Sequence, residues 1–308
     1  MSRFFRPPVD ARRGTKGNKK QNIHKMDRHR RWAALPPNDK RKYLMTLQSF
    51  ALPFEDEILR GDAYAERCET IVLHGAGKSS RTRFTRLRAG LNANGIPSVS
   101  FDFIGHGETG GALVGSSLRE RTAQAAAVIR HRGCEPLTLI GASMGAYTAI
   151  RLTETFSVDN LILLVPAVYT PQAYETPFGP AFSAVIRVPD SWQDSDAFRI
   201  LEGFNGNLLV IAAEADAVIP MAVVQKIQAS ARQAETNRLH IVPESRHLSL
   251  FPTQQDFQLA LGMMVDVCRG GQGSKGVISR PRKSGTADSQ TVCCIKKDNQ
   301  GLHQGLKR

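Results

Sequence analysis

Short apolar runs alternate with stretches of helical periodicity through the middle of the chain. The apolar runs predict buried strands at 70–73, 98–103, 137–140, 161–165, 208–212 and 239–242. The amphipathic stretches predict helices at 81–93, 117–131, 146–155, 221–234 and 254–268. Because parallel neighbours need crossover connections, which helices provide, this alternation predicts an α/β fold with a doubly wound, mostly parallel sheet.

Two segments depart from this alternation. Weakly alternating stretches at 43–51 and 58–64, on either side of a turn at 53–57, predict an antiparallel hairpin at an edge of the sheet. A long connection rich in proline and aromatic residues follows the fourth parallel strand. We expect residues 192–201 of it to form a helix that covers the sheet. About 167–190 then remain for a short lid made of a loop and one short helix.

The net charge of +13 is concentrated at the two ends of the 308-residue chain. Residues 1–43 hold 14 basic and 3 acidic side chains, and residues 269–308 hold 9 and 2. Neither end shows apolar periodicity, so we predict basic, disordered tails around a folded domain at 44–268. Such tails suit nucleic acid or anionic membranes. A solubilising extension is favoured, because neither an aromatic stacking pattern nor an amphipathic helix is interleaved with the charges.

The cysteines and the chain start limit the remaining possibilities. Five cysteines without C-x-x-C spacing predict neither a disulfide framework nor a zinc site, and we expect no metal and no cofactor. The first 20 residues lack the apolar segment of a secretory signal, and no run approaches the roughly 18 apolar residues of a membrane span. The predicted compartment is therefore cytoplasmic, and the oligomeric state is left open.

The sequence Gly141-Ala-Ser-Met-Gly145 lies where the third parallel strand ends and a helix begins. A serine in such a sharp strand-to-helix turn leaves no room for side chains two positions before and after it, which explains both glycines. The turn exposes Ser143 over the positive end of the following helix. Ser143 is therefore the candidate nucleophile.

A serine nucleophile needs a general base that a third group orients. Asp216 and Glu214 follow one predicted strand, and His247 follows the next. Because ligands of open α/β sheets bind at the carboxyl ends of the strands, both loops should lie on the same rim as Ser143. The other candidates for the base fit less well. His74 and His106 lie in glycine loops, His131 lies at the end of a predicted helix, and His240 lies inside a predicted strand.

Four landmarks in this order resemble the α/β-hydrolase superfamily, across about 47–268. They are His74-Gly-Ala-Gly77, Asp102-Phe-Ile-Gly-His-Gly-Glu108, the serine turn, and Glu214-Ala-Asp216 with Pro220. The chain looks like its serine aminopeptidase-like, monoglyceride-lipase-like and carboxylesterase-like members. The resemblance implies that Ser143 is the nucleophile, His247 the base and Asp216, four residues before the proline, the acid, with Glu214 as the rival. It also implies an oxyanion hole from the backbone N–H groups of Ala76 and Met144.

The expected function is hydrolysis of small acyl esters or thioesters through an acyl-enzyme. The aromatic residues of the lid are expected to line the acyl site, and they are Tyr169, Tyr174, Phe178 and Phe182. A lid this short favours acyl groups of about two to eight carbons. Each buried methylene adds about 0.8 kcal/mol of binding free energy, so specificity should rise with acyl length only until the cleft is filled. Two alternatives stay open: a peptidase or amidase on the same triad, and a non-catalytic protein that uses its basic tails.

Overall fold

The computed structural model describes residues 46–66, 68–134 and 137–270. The chain divides into two units, Met1–Gly273 and Ser274–Arg308, and every described residue lies in the first. The tails predicted at 1–43 and 269–308 therefore lie outside the described residues, apart from residues 269 and 270. The domain boundaries stay a prediction.

One sheet organises the described part of the chain. Its eight strands are β1 (Gln48–Phe54), β2 (Glu57–Ala63), β3 (Thr70–Leu73), β4 (Ser98–Phe101), β5 (Leu137–Ala142), β6 (Val158–Leu164), β7 (Asn207–Ala213) and β8 (Thr236–Val242). They are ordered β1-β2-β4-β3-β5-β6-β7-β8, and the six strands from β3 to β8 are parallel. β2 joins them antiparallel, through β4. The predicted mostly parallel sheet is confirmed.

Helices cover both faces of this sheet. They are α1 (Thr85–Ala93), α2 (Leu118–Arg132), α3 (Met144–Leu152), α4 (Pro171–Glu175), α5 (Pro180–Ile186), α6 (Asp196–Glu202), α7 (Met221–Ser230) and α8 (Gln254–Cys268). The larger core lies on the face of α2, α3, α6 and α7, and the smaller one lies under α1 and α8. The sheet is thus doubly wound, with helices on both faces of its parallel strands.

The predicted N-terminal hairpin is present, but its turn is shorter than predicted. The strands run to Phe54 and from Glu57, so the turn contains only two residues. Pro53, predicted to lie in the turn, sits in β1 opposite Ile58. Since β1 is an edge strand with one neighbour, the missing N–H of a proline costs no ladder bond there.

The lid contains more helix than the sequence predicted. It has two short helices, α4 and α5, instead of one, and each begins with a proline at its first position. A proline there removes no intrahelical hydrogen bond, so these prolines start helices and do not break them. The helix predicted at 192–201 is split as well. A 3-10 turn, Ser191–Asp194, precedes α6, and the Ser195 side chain caps α6 by accepting the Ala197 N–H at 3.3 Å.

Candidate active site

Ser143 occupies the single-residue turn between β5 and α3. Its backbone has φ 51° and ψ −119°, a conformation that residues with a side chain rarely adopt. The Ser143 N–H donates to the Leu164 carbonyl at 2.9 Å, and its carbonyl accepts from the Ala167 N–H at 3.2 Å. The loop after β6 therefore holds the strained turn from both sides.

The glycines around Ser143 have the steric role that the sequence predicts. A Cβ on Gly145 would lie 2.5 Å from the Leu73 carbonyl oxygen, and one on Gly141 would lie 2.7 Å from the Ala146 Cα. Both contacts are with backbone, which cannot move aside. A Cβ on Gly75 would lie 3.1 Å from the Ser143 Cβ. The loop after β3 thus packs directly against the serine.

Ser143, His247 and Asp216 form one hydrogen-bonded chain. His247 Nε2 lies 3.0 Å from Ser143 Oγ, and His247 Nδ1 lies 2.8 Å from Asp216 Oδ2. Asp216 also accepts the backbone N–H groups of Val218 and Ile219 on Oδ1, at 2.8 and 2.9 Å. Because Asp216 carries no donor when ionised, the imidazole donates from Nδ1 and leaves Nε2 to accept the serine proton.

The rival acid, Glu214, lies away from this chain. Its carboxylate accepts the Glu244 N–H at 2.8 Å and so ties the acid loop to the histidine loop. Ser245, which the sequence analysis did not single out, strengthens the same junction. It is fully buried, its carbonyl accepts the Ala215 N–H at 2.9 Å, and its hydroxyl donates to the Val242 carbonyl at 2.7 Å. Glu214 and Ser245 therefore set the distance between the loops that carry Asp216 and His247.

The two N–H groups expected to form an oxyanion hole belong to residues in the turn of Ser143 and in the loop that packs against it. Met144 is the first residue of α3, where N–H groups lack intrahelical acceptors and the helix dipole is positive. Ala76 is exposed and follows Gly75, which packs on the serine. Two donors near one carbonyl oxygen are what an oxyanion hole requires, and the assignment of these two N–H groups to it stays a prediction.

His74 and His106 are buried behind the loop after β3. The His74 Nδ1–H donates to the Gly75 carbonyl at 2.8 Å, and Nε2 accepts the Phe103 N–H at 3.2 Å. Burial, aided by the nearby Arg121 charge, lowers the pKa of His74 to about 2. The same causes lower the pKa of His106, whose ring centre is 4.9 Å from that of His74. Both rings are uncharged supports, and neither contacts Ser143.

The segment from Asp102 to Glu108 is fixed by an ion pair that the sequence analysis missed. Asp102 is fully buried, pairs with the Arg81 guanidinium, and accepts the Arg81 N–H at 2.7 Å and the Glu108 N–H at 2.9 Å. Arg81 also bonds to Asp62 at 2.8 Å. No local pattern reveals this contact, since its partners lie 19 and 21 positions from Arg81.

The four lid aromatics come together, mainly with one another. Phe178 and Phe182 are buried and lie edge to face at 4.8 Å, while Tyr169 and Tyr174 pack on Tyr147 of α3 at 5.4 and 6.1 Å. These contacts anchor the lid on α3. Their contact with an acyl group stays a prediction.

Two apolar side chains that the sequence analysis missed lie next to the triad. Val218 follows Asp216 by two residues and Leu248 follows His247 directly, and they are 61% and 75% exposed. Apolar residues in loops just after the acid and the base were the signal that could have identified them.

Within residues 46–66, 68–134 and 137–270, no group of three or more acidic, histidine or cysteine side chains could hold a metal ion. Over the same residues, no helix is long and apolar enough to cross a membrane.

Comparisons with known proteins agree with this fold. Residues 66–192 match the family of serine aminopeptidases S33, whereas no curated protein matches the chain. Among solved structures, an esterase from Pyrococcus furiosus is 18% identical, with a TM-score of 0.54 over 76% of this chain and 94% of its own. A monoacylglycerol lipase from Paleococcus ferrophilus is 18% identical, with a TM-score of 0.53 over 73% and 99%. A thioesterase domain from the curacin biosynthetic pathway is 15% identical, with a TM-score of 0.54 over 72% and 99%.

The chain therefore has the fold of the α/β hydrolases, and its resemblance to that superfamily is confirmed. Within the superfamily, it resembles the serine aminopeptidase S33 family over the part from the end of β2 to the lid.

Proposed function

We propose that this protein is a serine hydrolase that cleaves small acyl esters or thioesters through an acyl-enzyme on Ser143. One observation carries the proposal: His247 bridges Ser143 Oγ and Asp216 Oδ2 at 3.0 and 2.8 Å. A nucleophile, a base and a group that orients the base are the set that acyl transfer requires.

The reaction follows from the proton positions. Ser143 Oγ bonds to the carbonyl carbon as its proton passes to His247 Nε2, and the carbonyl electron pair moves onto oxygen, which the N–H groups of Ala76 and Met144 stabilise. When the C–O or C–S bond breaks, the leaving alcohol or thiol takes the proton from His247. A water molecule then repeats the sequence on the acyl-enzyme and releases the acid.

Three features support a small acyl substrate. The lid contains only two short helices, and its aromatic residues pack on α3 or on one another. Val218 and Leu248 present a small exposed apolar surface beside the triad. The similar structures include an esterase, a monoacylglycerol lipase and a thioesterase, so both ester and thioester substrates fit the fold.

A fluorophosphonate probe tests the proposal, because it labels only an activated serine. We expect the wild type and the Ser80→Ala control to be labelled and to hydrolyse p-nitrophenyl butyrate. Ser80 is a matched control because it lies in the loop after Gly75 and its hydroxyl hydrogen-bonds to that of Thr82. Ser143→Ala should lose both reactions while unfolding at the same temperature. Equal labelling of Ser143→Ala would overturn the proposal.

The match to a family of serine aminopeptidases favours peptide cleavage as a second candidate. Recognition of a free amine needs a carboxylate near the site. The acid of the lid helices, Glu175, already pairs with Arg119 at 3.2 Å. Parallel assays on acyl esters and aminoacyl p-nitroanilides separate the candidates, and a higher kcat/KM for the anilides would favour the peptidase.

A further inference from the structure

Arg121 is a buried cation behind the loop after β3 that has no counter-ion within residues 46–66, 68–134 and 137–270. It lies on α2 with 1% of its surface exposed, and its guanidinium carbon is 3.7 Å from the centre of the Phe103 ring. Nη2 donates to the His74 and Gly75 carbonyls at 2.9 and 3.2 Å. No carboxylate among the described residues pairs with it, and Nε and Nη1 find no hydrogen-bond acceptor there.

This arrangement is costly for stability. An unpaired charge in the interior loses several kcal/mol of hydration, and burial lowers the pKa of Arg121 to about 9. Arg88 shows the ordinary alternative: it is equally buried, yet it pairs with Asp62. A role in packing alone would be filled as well by an apolar side chain. The contacts that Arg121 makes must therefore explain why a charge is present.

Those contacts determine the direction of one peptide group. In a trans peptide the C=O and the following N–H point in opposite directions. The Gly75 carbonyl accepts from Arg121 and from His74 Nδ1, on the inner side of the loop. The N–H of the same peptide belongs to Ala76 and therefore points outward, at the part of the loop that packs against Ser143.

We propose that Arg121 is a positioning residue for the oxyanion hole: it holds the Gly75–Ala76 peptide with its N–H toward the reacting carbonyl and strengthens that N–H as a donor. The inference rests on the proposed function, since it concerns a step of that reaction. Two donors on one carbonyl polarise the whole peptide group, and polarised hydrogen bonds reinforce one another. The guanidinium charge adds a fixed positive potential behind the developing oxyanion.

The inference predicts an effect on kcat and little effect on KM. The substrate carbonyl is neutral, so a positive field behind the loop stabilises the oxyanion more than the bound substrate. Damage to packing would behave differently, because it lowers the folded fraction or changes both constants.

Arg121→Lys and Arg88→Lys form a matched pair of variants. Each arginine is buried, and each donates from Nη2 to two backbone carbonyls, those of Asp62 and Ser98 in the case of Arg88. Removing one oxyanion donor costs roughly 100-fold or more, so a misplaced donor in Arg121→Lys should lower kcat about 10-fold with KM within about twofold. The affinity for an alkyl trifluoromethyl ketone, which forms an oxyanion adduct, should fall in parallel. Arg88→Lys should keep the wild-type kcat for the folded fraction.

Chemical rescue provides the second measurement. Arg121→Ala should lose about 100-fold in kcat and recover about 10-fold in dilute guanidinium chloride, while methylammonium at the same ionic strength should restore less. A wild-type kcat in Arg121→Lys, or equal losses in the two lysine variants, would overturn the inference. Should Arg121→Ala fail to fold, the comparison of Arg121→Lys with Arg88→Lys still tests the inference.

The two proposals fail in different ways. If the wild type shows no hydrolysis that depends on Ser143, the proposed function is wrong. If that hydrolysis is present and the Arg121 variants keep the wild-type kcat and ketone affinity, only the role of Arg121 is wrong.

Discussion

At the scale of single residues, the triad could be predicted because each member is marked by local sequence. Ser143 stands between two glycines, and Asp216 and His247 follow apolar strands. The residues that support them could not be predicted in this way. Arg121 contacts carbonyls 46 and 47 positions away, and such contacts leave no periodic signal.

The acid can be tested by comparing two substitutions. Asp216→Asn should lower kcat about 10³- to 10⁴-fold, because an amide N–H facing His247 Nδ1 favours the wrong tautomer. Glu214→Gln should lower kcat by no more than about tenfold, since the Gln oxygen can still accept the Glu244 N–H. Initial rates of ester hydrolysis measure both. Greater damage from Glu214→Gln would show that the acid was misassigned.

His74 should make the fold sensitive to acid. Its pKa is about 2 when folded against 6.5 unfolded, so between these values only the unfolded chain binds the proton and stability falls as the pH falls. Between about pH 7.5 and pH 5, this group lowers the free energy of unfolding by about 2 kcal/mol. Over this interval, the free energy of unfolding of His74→Asn, measured in urea, should therefore fall by about 2 kcal/mol less than that of the wild type. Parallel stability curves for the two proteins would contradict this account.

At the scale of secondary-structure elements, the sequence predicts the buried strands better than the connections. Strands β3, β5 and β7 were found because they are nearly continuous apolar runs. Only the end of β8, at 239–242, was predicted, because its start at 236–238 is polar. The length of the hairpin turn and the second lid helix were mispredicted for a common reason. Pro53, Pro171 and Pro180 were taken as breakers, whereas an edge strand and the first turn of a helix both accept proline.

The turn between β5 and α3 should tolerate no added methyl group. Gly145→Ala places a Cβ 2.5 Å from the Leu73 carbonyl oxygen and 2.7 Å from that of His74. It should therefore lower the free energy of unfolding by at least about 2 kcal/mol and remove most of the activity. Gly262→Ala is the control. Gly262 lies exposed in α8, and no heavy atom lies within 4 Å of a Cβ added there. The substitution should therefore raise the free energy of unfolding by about 0.5–1 kcal/mol. Thermal and urea unfolding compare the two, and a tolerated Gly145→Ala would refute the steric role of this glycine.

At the scale of the whole molecule, strand order assembles the site. β5, β7 and β8 are parallel, so the loops that carry Ser143, Asp216 and His247 emerge at one edge of the sheet although they are far apart in sequence. This rule allowed the triad to be predicted without coordinates. The loop geometry that sets the distances, through Ser245 and Glu214, required the structure.

The ends of the chain should be dispensable for catalysis. All groups assigned to the reaction lie between Gly75 and His247, within the sheet and its loops. A shortened chain of residues 44–270 should therefore keep kcat/KM on a short-chain ester within about threefold of the full chain. A larger loss with unchanged unfolding temperature would show that a terminal segment takes part in the site.

The most direct test of the central claim is to trap the covalent intermediate. Intact-mass spectrometry of protein quenched in acid during turnover of p-nitrophenyl butyrate should reveal one butyryl group per chain, and peptide mapping should locate it on Ser143. The adduct should accumulate when deacylation is slower than acylation, and it should be absent from Ser143→Ala. A butyryl group on another residue, or continued turnover by purified Ser143→Ala, would contradict the account.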